Sequence, residues 1–160
     1  MTDINKLDLK GFCTMATRSV FHTMLSMEVN IGDADSTMEL SGAKIVGSVS
    51  FTGDVVGNFC IHITQNFARI MAAAMLGMEP DEIEDDDEIN DVIGEVSNMI
   101  GGDLKSKLCD AGFPCMLSIP SVTTGGDFRI ESKGWARHEK IAFQQNDQTS
   151  LVEVFVKSVA

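Results

Sequence analysis

The sequence predicts an α+β fold, in which an antiparallel or mixed β-sheet of about six strands packs against two or three long helices. Three segments, near residues 3–28, 64–77 and 88–110, repeat apolar residues at the spacing of an amphipathic helix. Residues 43–63 and three or four short segments after residue 114 instead have the pattern of strands. The predicted order along the chain is therefore α-β-β-α-α-β-β-β.

The composition is that of a folded, acidic protein. A chain of 160 residues is long enough for a full hydrophobic core, and we expect a single domain over residues 1–160. The 24 acidic side chains exceed the 12 basic ones, which gives a net charge of −12. Because phosphate backbones and anionic membranes repel such a charge, we expect no nucleic-acid or membrane partner, and a basic protein surface is favoured.

Cysteine usage and the first residues indicate a cytoplasmic location. The four cysteines form no CxxC pair, and reduced, buried thiols are the usual interpretation. The opening MTDINKLDLKGF carries acids and lacks the apolar stretch of a signal peptide. The longest apolar runs are far shorter than a membrane span.

The first half of the chain predicts a helix, a hairpin and a second helix. After the helix at 3–28, the turn-forming run NIGDADST at 30–37 interrupts the pattern. Residues 43–63 predict a β-hairpin that turns at 52–54. In the second helix Thr64 is a plausible N-cap, Gly77 a plausible stop, and three methionines at helical spacing fill the core, namely Met71, Met75 and Met78.

An acidic segment separates this helix from the next. Residues 79–91 carry nine acids in thirteen positions and are most simply a solvated linker, whose acids suit the N-terminus of the helix at 88–110. Strands are then expected near 115–122, 127–132, 135–143 and 150–158. Both faces of the last one are partly apolar, so it is either covered on both sides or placed at a subunit interface.

The helix at 88–110 has an unusual polar face. Five residues fall within a stripe about 80° wide, opposite the apolar side: Asp91, Glu95, Asn98, Gly102 and Lys105. Each interior glycine costs a helix about 1 kcal/mol relative to alanine. Gly94, Gly101 and Gly102 therefore require a reason, and close approach of another surface is a good one.

The pair Glu95 and Asn98 suits one particular task. A carboxamide has both a donor and an acceptor, so it can hold a water in a chosen orientation, while a carboxylate one turn away can pair with a cation. Together they can dock onto the active site of another protein and position a nucleophilic water there. An E-x-x-N pattern is weak by itself, and a solvated helix face is the alternative.

At these residues the chain resembles the CheC/CheX/FliY family. The family helix carries D-x3-E-x2-N, followed by an apolar pair and a small residue with glycine, which corresponds here to Asp91, Glu95, Asn98 and residues 99–102. SVSFTGDVVGNFCIHIT resembles the family hairpin, AAAMLGME the segment before the helix, and IPSVTTGGDFRI the strand entry after it. The resemblance thus extends over nearly the whole chain.

The resemblance implies a phosphatase that acts on a phosphorylated CheY-type response regulator. The phosphoryl group and a Mg²⁺ would both be held by the receiver, so the chain would need no cofactor of its own. Asn98 would orient the attacking water, and Glu95 would pair with the active-site lysine of the receiver. The receiver would also dock on Asp91, Gly94, Gly101, Gly102 and Lys105.

The number of E-x-x-N motifs differs between the two forms of the family. E-x-x-N occurs once in the chain, whereas CheC-type members carry the signature on two helices. The resemblance is therefore to the single-site CheX-type form, which implies a homodimer.

No HExxH motif or Cys/His cluster with zinc spacing occurs, so no metal site is expected. The rivals are a non-catalytic receiver-binding module, such as a flagellar-switch or scaffold component, and a structural dimer without a receiver.

Overall fold

A computed structural model describes residues 3–34, 38–126 and 134–159. The described helices are α1 (Leu9–Leu25), α2 (Gln65–Leu76) and α3 (Asp86–Asp110), with 3-10 turns at Ile4–Lys6 and Pro80–Glu82. The described strands are β1 (Asn30–Asp33), β2 (Lys44–Gly53), β3 (Val55–Thr64), β4 (Cys115–Leu117), β5 (Ser121–Gly125), β6 (Arg137–Gln145) and β7 (Gln148–Ser158). The predicted α+β class is confirmed.

Within the described ranges, seven strands form one antiparallel sheet in the order β1-β6-β7-β3-β2-β4. Strand β5 also pairs with β2, at residues 44–48 near its beginning, whereas β4 pairs with residues 51–53 at its end. The strand expected near 115–122 is thus two short strands, because regular pairing with β2 stops after Leu117 and resumes at Ser121. The strand expected at 127–132 lies outside the described residues.

Strand β1 is the main error in the predicted element order. Its residues were expected to form part of a turn-rich break, but they pair with β6 so that Ile31 lies opposite Phe143. A four-residue strand that contains a glycine and an aspartate carries almost no alternation of its own. Its conformation follows from the neighbouring strand rather than from a local pattern.

Local hydrogen bonds set the helix ends. The helix expected at 3–28 begins only at Leu9, where the Asp8 carboxylate accepts a hydrogen bond from the Gly11 N–H at 3.1 Å, and it ends before Ser26, whose φ is 53°. For α2 the predicted boundaries are confirmed. Thr64 Oγ1 accepts from the Phe67 N–H at 3.2 Å, and Gly77 closes the helix with a φ of 69°.

The core lies between one face of the sheet and the three helices. Helix α3 contacts β2, α1 and α2, so it is the central helix of this layer. Phe21 of α1 packs edge-on against Phe143 of β6 with ring centroids 5.0 Å apart, and it stacks on Phe67 of α2. Among the helices of the described ranges, none has the combined length and apolarity needed to cross a membrane.

The final strand β7 is buried on both faces. Val152, Val154 and Val156 belong to the core under the helices, while the intervening Glu153 and Phe155 are each only 4% exposed. His138 stacks on Phe155 with ring centroids 4.3 Å apart. Strand β7 is therefore covered on both sides within a single chain, which is the first of the two alternatives that the sequence left open.

The second face of the sheet carries a buried charge cluster around Glu153. Its carboxylate lies 3.1 Å from His62 Nε2, 3.0 Å from His138 Nε2 and 3.3 Å from Lys140 Nζ. Burial by itself raises the pKa of Glu153, but the adjacent His62, together with Lys140 and His138, outweighs burial and lowers the pKa to about 2. His62 thus has a structural partner, in agreement with its position between two buried isoleucines.

Candidate functional site

The acidic segment before α3 is anchored rather than free. Ile83 is 2% exposed, and the Arg69 guanidinium of α2 donates hydrogen bonds to the carbonyl oxygens of Ile83 and Pro80 at 2.5 and 3.4 Å. The acids around them are exposed, as expected for a solvated segment. Asp85 caps α3 by accepting a hydrogen bond from the Asp87 N–H at 2.9 Å. The direction of α3 is therefore set from its first turn.

The inner face of α3 sits unusually close to β2. A Cβ atom added to Gly47 of β2 would lie 2.0 Å from Ser97 Oγ, and one added to Gly101 would lie 2.4 Å from Cγ2 of Val49. Ser97 is fully buried and satisfies its hydroxyl by donating to the Ile93 carbonyl oxygen at 2.7 Å. Glycine on each side of this contact permits the close approach. Helix α3 is therefore packed tightly against β2 at Ser97, the residue next to Asn98.

This arrangement corrects the expectation for two of the three helix glycines. Gly101 is buried against Val49 and Leu117, and Gly94 is buried beside Val122 and Pro120. Both face the protein itself, so neither lies on an exposed docking edge. Gly102 differs, because a Cβ placed there meets no described atom within 4 Å. The surface that approaches Gly101 is the chain's own sheet.

The outer face of α3 presents the predicted pair. Asp91 and Glu95 are exposed, and Asn98, one turn further on, is half-buried. Within the described ranges, neither the Glu95 carboxylate nor the Asn98 carboxamide has a hydrogen-bond or ion-pair partner. The structure thus places both groups one turn apart on α3, with their polar atoms free of partners among the described residues.

Lys105 lies towards the β4 side of this stripe. It is half-buried, and its charge acts on the Cys115 thiol, although burial and the neighbouring Cys109 dominate and raise the pKa of Cys115 to about 11. Burial also raises the pKa of both Cys13 and Cys60 to about 12. All four cysteines are free, and three of them are buried, which agrees with the expectation of buried thiols for all but Cys109.

A groove that sequence patterns did not indicate opens beside the stripe, between α2 and α3. This α2–α3 groove has a volume of about 200 Å³ and is lined by Met75, Leu76, Glu88, Asp91, Val92 and Glu95. Met71 fills the core as expected, whereas Met75 packs against the core and also lines the groove. Leu76 is 46% exposed. Helical periodicity placed Met75 inside but held no information on the gap between two helices.

The chemistry of the stripe is limited to an amide and carboxylates. An amide positions water but does not take up a proton at neutral pH, and a carboxylate recognises a cation. In the described residues, no group of three or more His, Cys, Asp or Glu side chains is arranged to hold a metal ion. Such a site can act on an electrophile that a second molecule brings to it.

Comparisons with known families and sequences agree on one family. Residues 45–144 match the family described as "Chemotaxis phosphatase CheX". The chain is also 31% identical over 92 residues to the CheY-P phosphatase CheX of Thermotoga maritima. That alignment covers 57% of this chain and 58% of the relative, so the matched region is little more than half of either protein.

Solved structures show the same fold over nearly the entire chain. The crystal structure of a chemotaxis protein CheX from Desulfovibrio desulfuricans superposes with a TM-score of 0.79 at 25% identity, covering 94% of this chain and 100% of that one. The CheX–CheY–BeF3–Mg²⁺ complex from Borrelia burgdorferi gives a TM-score of 0.77 at 22% identity, covering 96% of this chain and 100% of that one.

Proposed function

This chain belongs to the chemotaxis phosphatase CheX family, and we propose that it acts as one phosphatase domain that hydrolyses the aspartyl phosphate of a CheY-type receiver. The observation that carries the proposal is the pair Glu95 and Asn98. The two side chains are uncommitted and one turn apart on the outer face of a helix that is held tightly from behind. To enter a partner's active site, the two side chains must be close together and free of other partners, as they are here.

In the proposed reaction Asn98 positions the water. Its carboxamide oxygen accepts a hydrogen bond from the water, so that the water oxygen lies in line with the phosphorus–oxygen bond to the receiver aspartate. The water oxygen bonds to phosphorus, the bond to the aspartate oxygen breaks, and the electron pair leaves with the restored carboxylate. Both protons of the water leave with the product, inorganic phosphate, and the receiver's aspartate side chain is restored as a carboxylate. The receiver supplies the Mg²⁺ that neutralises charge on the phosphoryl oxygens.

Glu95 anchors the receiver in this proposal. A carboxylate on a helix surface pairs with a lysine ammonium and steers its approach, and the acidic stripe around Glu95 adds to the attraction. Asp91, Gly102 and Lys105 flank the pair and would contact the same partner. Gly94 and Gly101 let α3 lie close to the sheet. In this proposal the partner would reach only their backbone atoms.

Location and assembly are also part of the proposal. We place the protein in the cytoplasm, where a reducing environment keeps free thiols such as Cys13 and Cys60 reduced. We also propose a homodimer of the CheX type, which light scattering coupled to gel filtration will test. A monomer at micromolar concentration would contradict the dimer without affecting the reaction.

The deciding experiment measures phosphate release from receivers of the same organism. Each receiver is phosphorylated with a small phosphodonor in the presence of Mg²⁺, and the loss of phosphate is followed with and without the protein. We expect faster loss with at least one receiver. Binding without faster loss would instead support the non-catalytic receiver-binding or flagellar-switch module, and an absence of binding to every receiver would overturn both readings.

A further inference from the structure

We infer that the α2–α3 groove is a docking pocket for an apolar side chain of the receiver that is flanked by a basic residue. The inference rests on the proposed function, because it extends the surface on which Glu95 and Asn98 would meet their partner. It assigns a binding role to Met75, Leu76 and Glu88.

The groove has the size and lining of a pocket for one side chain. Its volume is about 200 Å³, and a cavity of about 150 Å³ already accommodates benzene. Met75, Leu76 and Val92 supply its apolar surface, and Leu76, at 46% exposed, still has much of its surface in contact with solvent. Leu76 is held in place as the last residue of α2, directly before the left-handed Gly77. Covering these apolar atoms would release water and favour binding.

The rim of the groove selects the charge of the occupant. Glu88, Asp91 and Glu95 lie on successive turns of α3 and form one acidic edge. None of the described residues that line the groove is basic. A second copy of this chain that bound through the same groove would place acids against acids, whereas a lysine or arginine next to an apolar side chain of the receiver would pair with the edge.

The groove and the proposed catalytic pair belong to one surface. Glu95 lines the groove, and Asn98 and Val92 lie about 60° to either side of it around the helix axis. A partner large enough to pair with Glu95 and bring a phosphoaspartate to Asn98 would therefore also cover the groove. Side chains that fill well-packed pockets near the centre of an interface commonly contribute much of its binding energy.

The test separates docking from chemistry. We expect Leu76→Ala to raise KM for the phosphorylated receiver about tenfold while leaving kcat near the wild-type value, because Asn98 is untouched. Met15→Ala is the control, since Met15 of α1 is 60% exposed and lies outside the groove. Thermal unfolding of both variants checks that each is folded.

Two further measurements probe the contact itself. The ε-methyl NMR signal of Met75 should shift on saturation with a receiver activated by beryllium fluoride, and that of Met15 should not. Glu88→Lys should slow association and weaken its salt dependence, whereas Glu28→Lys, which makes the same charge change at an exposed site outside the groove, should not.

The outcomes distinguish this inference from the proposed function. If the wild type accelerates dephosphorylation but Leu76→Ala keeps the wild-type KM and the Met75 methyl signal does not shift, the docking pocket is wrong and the phosphatase proposal stands. If the wild type accelerates no receiver, both are overturned.

Discussion

Gly101 of α3 lies directly against Val49 of β2, so close that an added Cβ atom would be 2.4 Å from Val49 Cγ2. Val49 is 1% exposed, and its branched side chain cannot move aside easily. The sequence predicted Gly101 as part of a docking surface. In the structure this glycine instead allows the helix to pack closely on the sheet.

This contact predicts opposite effects for two neighbouring substitutions. Gly101→Ala gains helix propensity but overpacks the core, whereas Gly102→Ala gains the propensity and meets open space. We expect Gly101→Ala to be less stable than Gly102→Ala by about 1–3 kcal/mol in urea unfolding. Equal stabilisation of the two variants would show that α3 can shift away from β2 freely.

Asn98→Ala should abolish the acceleration of dephosphorylation while sparing most of the binding. The substitution removes the group that would hold the water but leaves Glu95 and the groove in place. We expect kcat to fall by about 100-fold or more, with the dissociation constant for a beryllium-fluoride-activated receiver changed less than about threefold. Wild-type turnover by this variant would remove the proposed role of Asn98.

Glu95→Gln should weaken docking more than chemistry. The amide keeps the shape of the side chain but loses the charge that would pair with a receiver lysine, so KM should rise about tenfold, or more at low salt. Asp103→Asn is the matched control, because it makes the same change on the same helix at a residue already paired with Lys107 at 3.2 Å. A similar rise in KM for both variants would point to net charge rather than to a specific contact.

The free energy of unfolding should depend on pH through Glu153. Its pKa of about 2 in the folded protein lies below the ordinary value of 4.5, so its stabilising effect is present above pH 4.5 and is lost as the pH falls towards 2. We expect the stability difference between the wild type and Glu153→Gln to shrink by about 1.4 kcal/mol per pH unit below pH 4.5.

Chemical denaturation at several pH values between 6 and 3 measures this difference. Titrating groups remote from the cluster are common to both proteins, so the subtraction removes their contribution and leaves that of Glu153 and its three charged neighbours. A difference that stays constant over that range would mean that the cluster with His62, His138 and Lys140 does not hold the carboxylate in its ionised form.

Sequence patterns by themselves determined the fold class, the hairpin, and the helix that carries Glu95 and Asn98. Those predictions hold because apolar periodicity reports directly which side of an element is buried, and because Thr64 and Gly77 act on their own neighbours. The outward orientation of Glu95 follows from the same periodicity. The resemblance to a known family added the chemistry that two side chains alone do not specify.

Only the tertiary structure decided what approaches each face. Strand β1 exists because β6 lies beside it, and Gly94 and Gly101 are buried because residues of β2, β4 and β5 pack against α3. The α2–α3 groove is formed by side chains of two different helices. The charge cluster at Glu153 joins residues of three strands. Each of these features depends on how separate helices and strands pack against one another, and the periodicity within one element does not report the position of its neighbours.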